Sequence, residues 1–115
     1  MTEENLNRPA WGVDETHPFL KHDLEDAFAS VSDPELGYSV LELGLIRNVT
    51  IENNVVTVEM ILTTPYCPYG PSMMEEVREK VSTILGLQTE MKYGTQVWDP
   101  TLMDKDIIDS DWGLF

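Results

Sequence analysis

The chain has 115 residues, 21 acidic and 7 basic side chains, and a formal net charge of −14. That balance argues against nucleic acid, whose binding relies on Lys and Arg to displace counterions from phosphate, and against an anionic membrane surface. The length fits one compact domain, and a hydrophobic fraction of 42% is enough for a core, which sets aside wholesale disorder.

The charge is uneven: residues 1–29 carry −5, residues 30–98 again −5, and residues 99–115 −4. Residues 1–15 read as a flexible acidic arm, with Trp11 suggesting that part of it packs down, and residues 16–115 as a single domain with an acidic tail. The start, Met1-Thr2-Glu3-Glu4-Asn5, lacks the basic-then-apolar pattern of a secretory signal, and no run approaches the ~20 apolar residues of a membrane span. The expected setting is cytoplasmic.

From Pro18 to Val31, Leu20, Leu24, Ala27, Phe28 and Val31 recur at the spacing of one helical face. Thr16 is the expected N-cap, and Asp33-Pro34 stops the helix. The apolar stretch Val40 to Leu45 is too short to classify by periodicity; a single helical turn is one reading. Two strands follow, Ile46–Glu52 and Val55–Thr63, around Asn53-Asn54, residues that tolerate the positive φ of a tight hairpin. Val56, Val58, Met60 and Leu62 share one face of the second strand, the period-2 pattern of a sheet covered on one side. After a loop with three prolines, a second helix begins near Pro71 or Ser72, with Met73, Val77, Val81, Ile84 and Leu85 inward and Gly86 as its stop. Thr89 to Trp98 reads as a third strand, with Met91, Tyr93 and Val97 on one face. The order helix-strand-strand-helix-strand implies an α+β two-layer sandwich, a three-stranded mixed sheet with both helices on one face. Ile107, Ile108, Trp112, Leu114 and Phe115 make the tail too apolar to be purely solvated.

Chemistry concentrates near Cys67, the one cysteine, which leaves no intramolecular disulfide and no multi-cysteine zinc site. It lies between the second strand and the second helix, where unpaired backbone N–H groups favour an anion such as a thiolate. The helix terminus supplies less than one pKa unit, so the position suits a soft metal better than a strongly activated nucleophile. His17 and His22 are five residues apart, a poor match for paired helical ligands, and neither is placed to act as a base for Cys67. On spacing alone, Asp33-Pro34-Glu35-Leu36-Gly37 needs no role beyond a helix stop and a turn.

Four segments in register nevertheless carry a resemblance: Asp33-Pro34-Glu35-Leu36-Gly37, Leu43-Gly44-Leu45-Ile46, Leu62-Thr63-Thr64-Pro65-Tyr66-Cys67-Pro68 and Val97-Trp98-Asp99-Pro100. Together they resemble the SufT/PaaD-like family of iron–sulfur assembly auxiliaries over roughly residues 20–115. The resemblance implies the fold of the iron–sulfur scaffold C-terminal domains and a non-enzymatic role in maturing iron–sulfur proteins. By position it implies a site of Cys67, Asp33, Glu35, Thr63 and Thr64, with Cys67 the ligand of a transient iron–sulfur cluster or iron. Partners would be iron–sulfur clients or scaffold proteins. A cluster normally takes four ligands, so a homodimer sharing it across a two-fold axis is one arrangement and handover to a client another. The chain departs from the family pattern at Tyr66, where glycine is frequent, and at Thr101-Leu102, where Pro-Trp is common. The alternative function is a metal-free adaptor that uses its acidic surface and apolar tail.

Overall fold

A computed structural model describes residues 9–34, 36–63 and 68–103 of the chain. Its elements are α1 (Gly12–Thr16), a 3-10 turn (Pro18–Leu20), α2 (Lys21–Ala29), β1 (Ile46–Glu52), β2 (Val55–Met60), α3 (Gly70–Leu85), β3 (Gln88–Tyr93) and a second 3-10 turn (Pro100–Leu102). The strands form one mixed sheet in the order β1-β2-β3, with β1 and β2 antiparallel and β2 and β3 parallel. This is the α+β arrangement that the alternation of periods implies. No helix among the described residues is long and apolar enough to cross a membrane.

The hairpin turns on Asn53 and Asn54, both at positive φ (51° and 63°), where the short polar side chain makes the left-handed region accessible. Further along β1 the register slips: Ile46 pairs with Met60, but Asn48 pairs with Glu59. Arg47 is the extra residue of this bulge. The bulge lets Ile46 and Val49, three residues apart, both bury their side chains, which strict alternation forbids. Val49, Val56, Val58 and Met60 from the sheet join Leu24, Ala27 and Phe28 of α2 and Met73, Val77 and Val81 of α3 in one buried cluster. Trp11 stands edge-on to Phe28 at 5.3 Å between ring centroids, and its indole N–H donates to the Ile46 carbonyl.

Several boundaries differ from those expected. Thr16 does not cap the long helix: it ends α1, and its hydroxyl donates to the Gly12 carbonyl inside that same short helix. Trp11 and Val13 within the expected arm are buried, while residues 1–8 lie outside the described residues. The stretch after Tyr38 is a helical turn closed by reciprocal bonds, Ser39 N–H to Glu42 Oε1 and Glu42 N–H to Ser39 Oγ, each 3.0 Å. In α3, Ile84 is exposed and Met74 is buried in the stripe instead. β2 ends at Met60 rather than Thr63, because the Ile61 N–H turns to the Leu45 carbonyl at 2.8 Å. β3 ends at Tyr93 rather than Trp98, and Tyr93 and Val97 are exposed, not inward.

Candidate functional site

The described half of the site is built where the chain leaves β2 and β3. Gly94 makes the closure: its N–H donates to the Met60 carbonyl at 2.9 Å, and a Cβ there would meet Ile61 Cγ2 at 2.7 Å. A larger residue would push the β3 exit away from the β2 exit. Beyond Gly94 the chain crosses toward the turn before β1, where Trp98 Nε1 donates to the Leu43 carbonyl at 2.7 Å. Arg47 ties the same two segments together, donating from Nη1 to the Gly44 carbonyl and from Nε to Gln96 Oε1, both at 2.9 Å. Partial burial lowers the guanidinium pKa, and the carboxylates of Asp99 and Glu59 oppose that fall. Gly44, at φ +73°, lies against the Leu102 carbonyl so closely that no side chain fits between them. The second and fourth segments of the resemblance therefore form one clamp, and Leu102 occupies the position where the family commonly has tryptophan.

The third segment meets this clamp. Ile61, Leu62 and Thr63 form one wall of a groove of about 310 Å³ whose other wall is Tyr93, Gly94, Gln96, Val97 and Trp98. The lining is mainly apolar, with Thr63 and Gln96 as its polar points. The groove borders the start of the Cys67 loop, whose residues 64–67 follow Thr63 directly.

Of the five residues expected in the site, Asp33 and Thr63 are described, whereas Glu35, Thr64 and Cys67 lie outside the described residues. Asp33 is 1% exposed, and its Oδ1 accepts the Leu36 N–H at 3.3 Å. Its backbone closes the same turn, with the Asp33 N–H on the Tyr38 carbonyl at 2.9 Å and the Gly37 N–H on the Asp33 carbonyl at 2.8 Å. The carboxylate thus has a turn-forming role of its own, and Asp33 does not line the groove that Thr63 lines. Among the described residues no group of three or more His, Cys, Asp or Glu side chains is placed to hold a metal ion. His17 and His22 are apart in this sense too: His17 contacts Thr16 and Phe19, and His22 faces Glu25.

Sequence reasoning missed Arg47, Gln96 and Gly94. Arg47 had a signal, being the one basic side chain between Lys21 and Arg78. Gln96 and Gly94 had none, because each matters through a contact with a segment far away in the chain.

Comparison with known proteins gives the geometry its context. The model of a family described as iron–sulfur cluster assembly protein matches residues 21–90, a stretch that holds the Asp33 turn, Leu43–Ile46 and the Cys67 loop but stops short of Trp98. The chain is 39% identical over 72 residues to a Staphylococcus aureus protein named Fe-S protein maturation auxiliary factor SufT, covering 61% of this chain and 78% of that one. It is 40% identical over 58 residues to an iron–sulfur cluster carrier protein of Synechocystis, covering 50% of this chain but 16% of the carrier. Its fold is similar to that of a domain of unknown function from Bacillus anthracis, with a TM-score of 0.74 at 24% identity over 87% of this chain and 97% of that one.

Proposed function

The chain belongs to the iron–sulfur cluster assembly protein family, and from that membership we propose that it is an auxiliary factor in assembling, carrying or delivering clusters to client iron–sulfur proteins. The observation that carries this reading is the match over residues 21–90, which spans the loop bearing the chain's one thiol. The cluster, or iron alone, is cargo held transiently. Cys67 is the natural ligand, since a thiolate is the soft donor that iron–sulfur clusters use. A single thiolate leaves other positions open, which favours transfer. A second copy of the chain, small thiols or the client itself supply the remaining ligands. Thr63 and Thr64 precede the loop in the sequence, and the Asp33 carboxylate holds its own turn through the Leu36 N–H. The proposed chemistry is ligand exchange, with an iron–thiolate bond formed on loading and exchanged for a client's ligand on delivery, which is the role of a carrier.

The test is anaerobic reconstitution with iron and sulfide on wild type and Cys67→Ala, read by visible absorbance and iron per chain. Wild type is expected to colour and Cys67→Ala to stay colourless with an unchanged melting temperature. Equal iron and equal client activation in Cys67→Ala would overturn the assignment of the ligand. The apolar groove favours a second reading, a metal-free adaptor. A colourless wild-type protein that still binds its client would select it.

A further inference from the structure

We propose that the free edge of β3 pairs antiparallel with β3 of a second copy of this chain, about a two-fold axis at Met91. The two edges of the sheet differ. The β1 edge is attended by α1, where Trp11 Nε1 donates to the Ile46 carbonyl and the Gly12 N–H to Asn48 Oδ1. β3 has β2 as its one strand neighbour, and among the described residues no strand pairs with its other side. The Gly94 N–H donates inward to the Met60 carbonyl. Alternation back along the strand therefore turns the N–H and C=O groups of Thr89, Met91 and Tyr93 outward. An edge of this kind is a template for another strand.

Charge selects the occupant and the register. Outward groups meet outward groups only when the axis passes through a residue, and the choice of that residue decides which charges face each other. An axis at Glu90 sets glutamate against glutamate, and one at Lys92 sets lysine against lysine. The axis at Met91 sets Glu90 against Lys92 of the second copy, twice over. It also uses the whole strand: 89 with 93, 91 with 91 and 93 with 89 exchange about six backbone hydrogen bonds. Glu90 and Lys92 then form the non-hydrogen-bonded pairs, whose Cα atoms stand ~4.5 Å apart with side chains close. Both are exposed, and within each sheet Lys92 already sits beside Glu59 in register, so pairing places it between two carboxylates. A lysine on an edge strand ordinarily discourages pairing; the glutamate two residues before it reverses that for a copy of the same strand. The chain's net charge of −14 opposes self-association, but residues 86–98 hold one acid, Glu90, and one base, Lys92, so the seam itself is neutral. The two β3 strands leave in opposite directions, their Tyr93 residues ~13 Å apart along the strand axis, so each groove opens at its own end of the joined sheet.

The test uses the metal-free full chain with a reductant present, so neither iron nor a Cys67 disulfide contributes to the result. Sedimentation equilibrium should show wild type passing from monomer to dimer between ~1 µM and ~1 mM, the range suited to a small interface. Glu90→Lys and Lys92→Glu change side chains already in water and so spare the fold. Each sets like charges opposite one another and should weaken self-association about tenfold or more. Mixed in equal amounts, the two variants regain opposite charges at both pairs and should form a heterodimer about as tight as the wild-type dimer. A wild type that stays monomeric at ~1 mM would overturn the proposal and leave the edge to a strand of another protein. A dimer that persists in both variants would overturn it by placing the contact elsewhere, and a mixture that stays monomeric would overturn the register.

Discussion

Gly44→Ala probes how firmly the turn before β1 is locked to the segment that walls the groove. Gly44 sits at φ +73°, and a Cβ on it would stand 2.2 Å from the Leu102 carbonyl oxygen and 2.9 Å from its carbonyl carbon. Two costs follow. Holding an L-residue in the left-handed region costs ~1–2 kcal/mol. The second cost is steric: ordinary Cβ contacts begin at 3.4 Å, so the Leu102 backbone must retreat by about 1.2 Å. That retreat pulls on Met103, which is fully buried, and a buried side chain of that size contributes ~1.5–3 kcal/mol. The sum is ~2.5–5 kcal/mol, a large share of the ~5–15 kcal/mol that stabilises a typical domain.

Two other glycines separate the terms. Gly37 and Gly86 also have positive φ, 77° and 67°, but a Cβ on either would meet nothing within 4 Å. Gly37→Ala and Gly86→Ala therefore carry the strain without the clash, and the small unfolded-state gain of alanine is common to all three. Urea unfolding with a shared m-value should place Gly44→Ala below Gly86→Ala by ~1.5–3 kcal/mol. A difference under ~0.5 kcal/mol would refute the reasoning, because the Leu102 turn would then yield freely and the groove wall would not be locked at Gly44.

Asp33 and Asp99 give the remaining predictions. Asp33→Ala removes the acceptor of the Leu36 N–H in a buried turn and should cost ~1–2 kcal/mol in urea unfolding. Asp33→Asn keeps an oxygen there, and both its stability and its iron content after reconstitution should stay near wild type; a selective loss of iron would instead make the carboxylate a ligand. The Asp99 carboxylate takes the Thr101 hydroxyl and the Thr101 N–H, which hold its pKa below the usual carboxylate range. A lowered folded-state value means that its stabilisation is fully present above the unfolded-state pKa and is lost as pH falls through the folded-state one. Melting temperature followed from ~pH 5 to ~pH 2 should therefore fall less steeply in Thr101→Val than in wild type. Parallel curves would remove Asp99 from the acid response.

What the chain shows in advance is what short-range periodicity encodes. Val56, Val58 and Met60 alternate, Leu24, Ala27 and Phe28 follow a helical stripe, and Asn53-Asn54 sits between two β-prone runs, so strand, helix and hairpin are legible without any contact map. Element ends are not, because tertiary partners set them. β2 stops where the Ile61 N–H finds Leu45, sixteen positions away, and β3 stops where Gly94 closes on Met60. The bulge at Arg47 is hidden for the same reason: it exists only relative to the partner strand, and its effect is to bury Ile46 with Val49. The family resemblance supplied the order of the four segments, and coordinates were needed to join two of them through Trp98 and Leu43, 55 positions apart.

The described residues on either side of the Cys67 loop are anchored. On its entry side Ile61 is buried and bonded to Leu45, and Thr63 belongs to a wall tied through Gly94, Trp98 and Arg47 to the turn before β1. On its exit side the Met73 N–H already donates to the Tyr69 carbonyl at 2.9 Å, so α3 is formed within two residues of Pro68. Only residues 64–67 lie between these two supports. Residues 64–67 are thus a four-residue bridge in the sequence between two anchored ends. The frame and the bridge should then respond to mutation in different ways. Changes at Gly44 or Gly94 should move stability first and cargo only through it, whereas changes at Cys67 should move cargo with stability unaltered. The sorting of charge agrees with this division: nine of the fourteen net negative charges lie in residues 1–29 and 99–115 and five in the stretch 30–98 that holds the loop, so most of the acidity lies away from the thiol in the sequence.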